Sequence, residues 1–168
     1  MSMLLTVFLT IVFCAAITLM MFSAVAFIQN EKFFSSAPKE AQAVLRHRDK
    51  ELFYGARIIG WTLMIFSLLM ILGVGVISIW DGFRSGFTFG QFFFRFVFIF
   101  TVYKIYDMVC FDYFLLMKFR FFQFYYSEVE NVYRNRKYGY NIKSQLLKLL
   151  VIFPAVSAIA AWICTLIG

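Results

Sequence analysis

Residues 91–117 read Gln91-Phe92-Phe93-Phe94-Arg95-Phe96-Val97-Phe98-Ile99-Phe100-Thr101-Val102-Tyr103-Lys104-Ile105-Tyr106-Asp107-Met108-Val109-Cys110-Phe111-Asp112-Tyr113-Phe114-Leu115-Leu116-Met117. The stretch is apolar and dense in phenylalanine, yet it carries Lys104, Asp107 and Asp112 inside it. An ionisable side chain near the centre of a bilayer costs roughly 2.5–3.5 kcal/mol on insertion scales, so such groups face a bundle interior or a water-filled cavity and find partners there. The reading is therefore a membrane helix packed among other membrane helices.

Composition points the same way. The chain is 62% apolar and 15% charged, against about 45–50% and about 25% for soluble domains. A soluble globule of 168 residues has nowhere to hide 24 Phe, 9 Tyr and 3 Trp without exposing patches that aggregate. The net charge of +7 does not indicate nucleic acid, because the charges sit between the apolar runs, where membrane topology and anionic headgroups account for them. Cys14, Cys110 and Cys164 all fall in apolar runs, with no Cys-x-x-Cys pair and no Cys/His cluster. They read as small buried hydrophobes, and no metal site or cofactor is expected.

Three further apolar runs flank this one. Met3–Ile28 is free of charge and, at about 1.5 Å per residue, long enough for a hydrocarbon core of about 30 Å. It reads as a retained span; a signal peptide cleaved after Ala24-Val25-Ala26 is the rival reading, but it lacks a basic leader and its apolar run is too long. Ile58–Trp80 is again free of charge and ends on a tryptophan, and Gly73 with Ser67 or Ser78 offers a place for close helix approach. Asp81-Gly82-Phe83-Arg84-Ser85-Gly86 reads as a tight reversal, making a hairpin of the second and third spans. The last run, about Leu146–Ile167, contains Pro154, which should kink it.

The segments between the runs are wet. In 29–57, Ser36 and Pro38 suit the start of a short helix reaching about Tyr54, leaning on the membrane surface. His47, the one histidine, reads as a solvated side chain. After Met117 the third helix is expected to continue through Lys118 and Arg120 to Tyr126 as it leaves the membrane, amid interfacial aromatics, with Tyr138-Gly139-Tyr140-Asn141 as a later turn. The first loop holds Lys32, Lys39, Arg46, Arg48, Lys50 and Arg57; the last holds Lys118, Arg120, Arg134, Arg136, Lys137, Lys143 and Lys148; the middle loop, counted into the start of the third span, holds Arg84 and Arg95. Lysine and arginine favour the cytoplasmic side, so both basic loops belong there. The expectation is a single domain, residues 1–168: an all-α, integral membrane four-helix bundle, N-out and C-out. Its spans are about 3–28, 58–80, 91–117 and 146–167, its cytoplasmic segments 29–57 and 118–145, with a short cytoplasmic helix between spans one and two.

On a helix turning about 100° per residue, Lys104, Asp107, Phe111, Leu115 and Lys118 share a face and Asp112 lies beside it. Lys104 and Asp107 are spaced to pair along the helix. Two readings stay open: a structural ion pair inside the bundle, or a polar path for a proton, ion or small solute through Lys104, Asp107 and Asp112. Spans one, two and four add only Thr6, Thr10, Thr18, Ser67, Ser157 and Thr165 at membrane depth, which leaves such a path resting on one helix. No His-Glu-x-x-His, Gly-x-Ser-x-Gly or phosphate-cradling glycine loop is present, so no catalytic residue is expected. The remaining enzymatic alternative is lipid modification at the cytoplasmic rim through Arg134, Arg136 or Lys143. Lys118, Arg120, Arg134, Arg136, Lys137 and Lys143 are the expected contacts for anionic lipid headgroups.

Phe111-Asp112-Tyr113-Phe114-Leu115-Leu116, the run Phe122–Glu130, Gly139-Tyr140-Asn141-Ile142-Lys143-Ser144 and Ala161-Trp162-Ile163-Cys164-Thr165 resemble motifs of small bacterial four-span membrane proteins that have no assigned activity. The resemblance covers the C-terminal half best and implies a bacterial cytoplasmic membrane; it carries Asp112 within a motif. The resemblance implies nothing about mechanism; the chain as a whole reads as a non-enzymatic membrane protein, either alone as a small bundle or as a binding or accessory subunit, with membrane lipids and another membrane protein or a second copy as its expected partners. A small proton- or ion-linked transporter or channel is the alternative.

Overall fold

The computed structural model describes residues 3–34, 37–46, 48, 50–134 and 142–167, with only the backbone described at Phe34, Ile142 and Lys143. The helix start at Ser36, the solvated His47 and the turn from Tyr138 to Asn141 lie outside the described residues. Among the described residues every regular element is helical. Three helices are long and apolar enough to cross a membrane: Met3–Ile28, Ala56–Arg84 and Ser144–Ile167. The third apolar run is not one of them. It folds as helix α4 (Phe89–Tyr106) continued by a π-helical Asp107–Lys118, and Arg95, Lys104, Asp107, Asp112 and Lys118 dilute its apolar character.

The chain forms two compact units. The first comprises Met1–Ala16, Leu69–Tyr106 and Ile142–Gly168, and so takes in the first part of α1 (Met3–Phe22), the later part of α3 (Ala56–Arg84), all of α4 and the last helix. Its core is phenylalanine set against small residues. Phe87, Phe92 and Phe96 pack with Ala161 and Cys164 of the last helix. Ser157, Ala161 and Cys164 recur one turn apart and are all buried, and small side chains at such intervals let membrane helices approach closely. Leu9, Val74 and Ile99 form a second cluster. The turn before Pro154, Lys148–Ile152, is π-helical, because proline gives no N–H to the carbonyl one turn back and crowds it.

The expected reversal between the second and third runs is shorter than its sequence suggests. Helix α3 runs to Arg84, so Asp81 to Arg84 are helical, and only Ser85 and Gly86 turn. Gly86 takes φ +61°, and the Phe87 N–H donates to the Gly82 carbonyl at 2.9 Å, which satisfies a carbonyl the helix end would leave bare. Helix α4 then starts on a half capping box: the Gln91 side chain reaches back to accept the Thr88 N–H at 2.9 Å.

The second unit comprises Ile17–Leu68 and Asp107–Asn141. The first helix ends there in a π-helical Ser23–Ile28 closed by a left-handed Gln29, φ 53°. The close helix approach expected near Gly73 falls instead at Gly60. A Cβ added to Gly60 would lie 2.7 Å from Ile28 Cγ1, whereas one added to Gly73 would meet nothing within 4 Å; the Ser23 hydroxyl donates to the Gly60 carbonyl. Of the helix expected from Pro38 to Tyr54, only α2 (Lys39–Val44) forms among the described residues, with Leu45 extended. The reason is tertiary: Glu128 accepts the Arg46 N–H at 3.3 Å and the Arg48 guanidinium at 2.7 Å, drawing that backbone out of a helical path.

The continuation of the third helix to Tyr126 also fails. The helix stops at Lys118, and Arg120 takes φ 50° and ψ 35°, a left-handed geometry that costs a non-glycine residue roughly 1–2 kcal/mol. Two short helices follow, α5 (Phe121–Tyr125) and α6 (Glu130–Tyr133). Burial offsets the strain: Phe121, Phe122 and Tyr125 pack against a core of Val25, Ala41, Leu116, Tyr126, Val129 and Tyr133. The last helix consists of α7 (Ile142–Leu147), the π-helical turn and α8 (Phe153–Ile167).

Candidate functional site

Among the described residues the most deeply buried charge is one that the charge count assigns to an exterior loop. Arg95, in the second turn of α4, is fully buried in the first unit. Its Nη2 donates to Asp81 Oδ2 at 2.7 Å, Nη1 to the Ser78 carbonyl at 3.0 Å and Nε to Thr6 Oγ1 at 3.2 Å. The guanidinium carbon lies 4.4 Å from the centre of the Phe87 ring. Every nitrogen is thus engaged, and the partners come from α1, from α3 and from the turn that joins α3 to α4. A guanidinium in low dielectric needs this, since an unpaired charge there is far more costly than a paired one. Asp81 is about one-quarter open to solvent at 23% of its side chain, so the pair is half in and half out, in the manner of a long side chain reaching for the interface.

In the second unit, Arg48 is the corresponding knot. Beyond its Glu128 pair, its guanidinium sits 5.5 Å above the Tyr126 ring, and its own carbonyl accepts from the Arg57 guanidinium. Tyr126 is fully buried; burial pushes its phenol well above the usual tyrosine range, against the lowering pull of Arg48, so it is neutral at physiological pH. The knot ties the first basic segment to the second within this unit.

The three charges singled out in the third run are placed differently from one another. Lys104 is buried near the end of α4, while Asp107 and Asp112 are half-buried in the π-helical segment, of which Asp107 is the first residue. A helix closed by i→i+5 bonds sets residue i close to residue i+5. Asp107 and Asp112 therefore share a face, where α-helical spacing had put Asp112 to one side. Of the expected headgroup contacts, Lys118, Arg120 and Arg134 are exposed; Arg136, Lys137 and the Lys143 side chain lie outside the described residues. Cys14 and Cys164 are buried, Cys110 is half-buried, and all three are free thiols. Among the described residues no group of three or more His, Cys, Asp and Glu could hold a metal ion.

Sequence reasoning missed Arg95 and Asp81 as a pair and Arg48 with Glu128. Only the first left a trace: an acid and a base on either side of a glycine-containing reversal. Comparison with protein-family models, curated proteins and solved structures found no match.

Proposed function

We propose that this is a four-span integral membrane protein of a bacterial cytoplasmic membrane, with both termini outside, acting without catalysis as a binding or accessory subunit. The observation that carries this is the bare flank of α3, where Ile65, Leu69, Leu72 and Val76 are exposed between the exposed Trp61 and Trp80. The two tryptophans are about 28 Å apart along the axis at ~1.5 Å per residue, close to a hydrocarbon thickness of about 30 Å, and tryptophan favours the headgroup level at each side. Water does not tolerate such a flank, so lipid or a partner helix covers it. Counting the third run as the fourth span is supported by the full set of acceptors that Arg95 finds inside its own unit, which removes the main cost of inserting it.

With the native cysteines replaced, a cysteine at Ser85 should react with a membrane-impermeant maleimide on intact cells, and one at Lys50 only after lysis. The reverse pattern overturns the orientation. Photo-crosslinkers at Ile65 and Leu72 in native membranes should give one discrete protein adduct in common; lipid adducts alone would overturn the accessory role.

A second reading, a small proton- or ion-linked transporter or channel, is favoured by the shared face of Asp107 and Asp112, since intramembrane acids commonly mark ion pathways. It requires that liposomes containing the protein show pH- or voltage-driven flux, lost in Asp107→Asn and kept in Phe98→Leu. Absence of flux in the native chain, with Asp107→Asn lowering only the unfolding temperature, returns the two acids to a structural role.

A further inference from the structure

We infer that the segment Lys118–Phe124 in the second unit is a headgroup site for anionic phospholipid, formed by the left-handed backbone at Arg120. The inference rests on the membrane reading above and names the chemistry of one partner. The apolar π-helical segment ends at Lys118, and the Phe119 N–H closes it on the Phe114 carbonyl at 2.8 Å. At Arg120 the chain bends, and the new helix begins with the Phe124 N–H on the Arg120 carbonyl at 2.9 Å.

The bend divides the aromatic residues into two sets. Phe121, Phe122 and Tyr125 turn inward to the core, whereas Phe119 and Phe124 stand 70% and 80% exposed. Beside them Lys118 and Arg120 are exposed as well. Arg120 pairs with Glu130 at 3.3 Å, and both side chains are more than half open to solvent; such pairs are weak and readily exchanged.

Two exposed rings and two exposed cations, Lys118 leaning over the Phe114 ring at 6.0 Å, thus follow one another where an apolar run gives way to polar chain. The two non-bridging oxygens of a phosphodiester match the planar fork of the guanidinium, and the acyl region beneath it accepts the two phenylalanines. An acidic peptide would match the cations but leave the rings uncovered. Lipid matches both.

The test uses the full chain in nanodiscs of phosphatidylcholine and phosphatidylglycerol, with retained lipid counted by native mass spectrometry after gentle detergent release. The native chain should retain phosphatidylglycerol preferentially. Arg120→Gly accepts the left-handed backbone more easily than arginine does, so it should fold at least as well while lowering that preference about fivefold, the change expected for one cation near an anionic surface. Lys118→Gln should act in the same direction. Glu130→Gln, which frees Arg120, should raise the preference. Phe119→Ser with Phe124→Ser should lower retention of both lipids alike. Equal preference in the native chain and in Arg120→Gly, with thermal unfolding intact, overturns the site, as does displacement of the lipid by an acidic peptide. A chain that fails to enter nanodiscs and is washed from membranes by carbonate instead overturns the membrane reading beneath it.

Discussion

Replacing Asp81 with leucine should lower the stability of the protein by about 3 kcal/mol, the low end of the range for breaking a buried ion pair by removing one partner. Arg95→Met combined with Asp81→Leu should recover most of that loss. The asymmetry follows from where the cost lies. Arg95 is fully buried and Asp81 is 23% exposed, so loss of the aspartate strands a guanidinium that cannot reach water. The Ser78 carbonyl, the Thr6 hydroxyl and the Phe87 ring soften the loss without neutralising the charge. Removing both charges eliminates the desolvation of arginine altogether, and apolar replacements of similar volume are commonly neutral or better. Thermal unfolding in detergent micelles measures both variants. Equal losses in the single and double variants would show that the site is held by packing, not by charge.

The helices were legible because hydropathy over long runs needs no knowledge of neighbours: the runs beginning at Met3, Ile58 and Leu146 all lie within helices of membrane length. What was illegible depended on partners remote in sequence. Arg95 stands near the start of its run, where an arginine ordinarily marks a loop or a rim, and its burial is decided by Thr6 and Ser78, which carry no mark of that role. The short α2 was misjudged for the same reason, since propensity favours helix beyond Leu45 and Glu128 overrides it. Arg120 is the harder case. A left-handed residue at a helix end is usually glycine or asparagine, and nothing local announces an arginine there. The π-helical register of Asp107 and Asp112 was hidden too, because a wheel drawn at α-helical spacing assumes the hydrogen-bond pattern it is meant to reveal.

Glycines on α3 should separate by sign. Gly82→Ala should destabilise by about 1–3 kcal/mol, the usual cost of overpacking a filled core, despite the gain in helix propensity. Gly73→Ala and Gly75→Ala should each stabilise by a few tenths up to about 1 kcal/mol through propensity alone. A Cβ on Gly82 would fall 2.2 Å from Cε1 and 2.5 Å from Cζ of Phe92, while Gly73 and Gly75 have nothing within 4 Å. Phe92 has little room to retreat: it is 1% exposed and ringed by Phe83, Phe87 and Phe96 at 5.7, 5.4 and 6.1 Å between centroids. Phe92→Leu should therefore rescue Gly82→Ala, a coupling expected of residues in direct contact. The displacement also has a direction that matters for the site. Phe92 leans on Phe87, and Phe87 is the ring beneath the Arg95 guanidinium, so a methyl group at Gly82 pushes through two rings onto the buried charge. In a chain already carrying Arg95→Met and Asp81→Leu, the penalty of Gly82→Ala should shrink. Unfolding midpoints that show the same penalty in both backgrounds would show that the turn and the ion pair are independent.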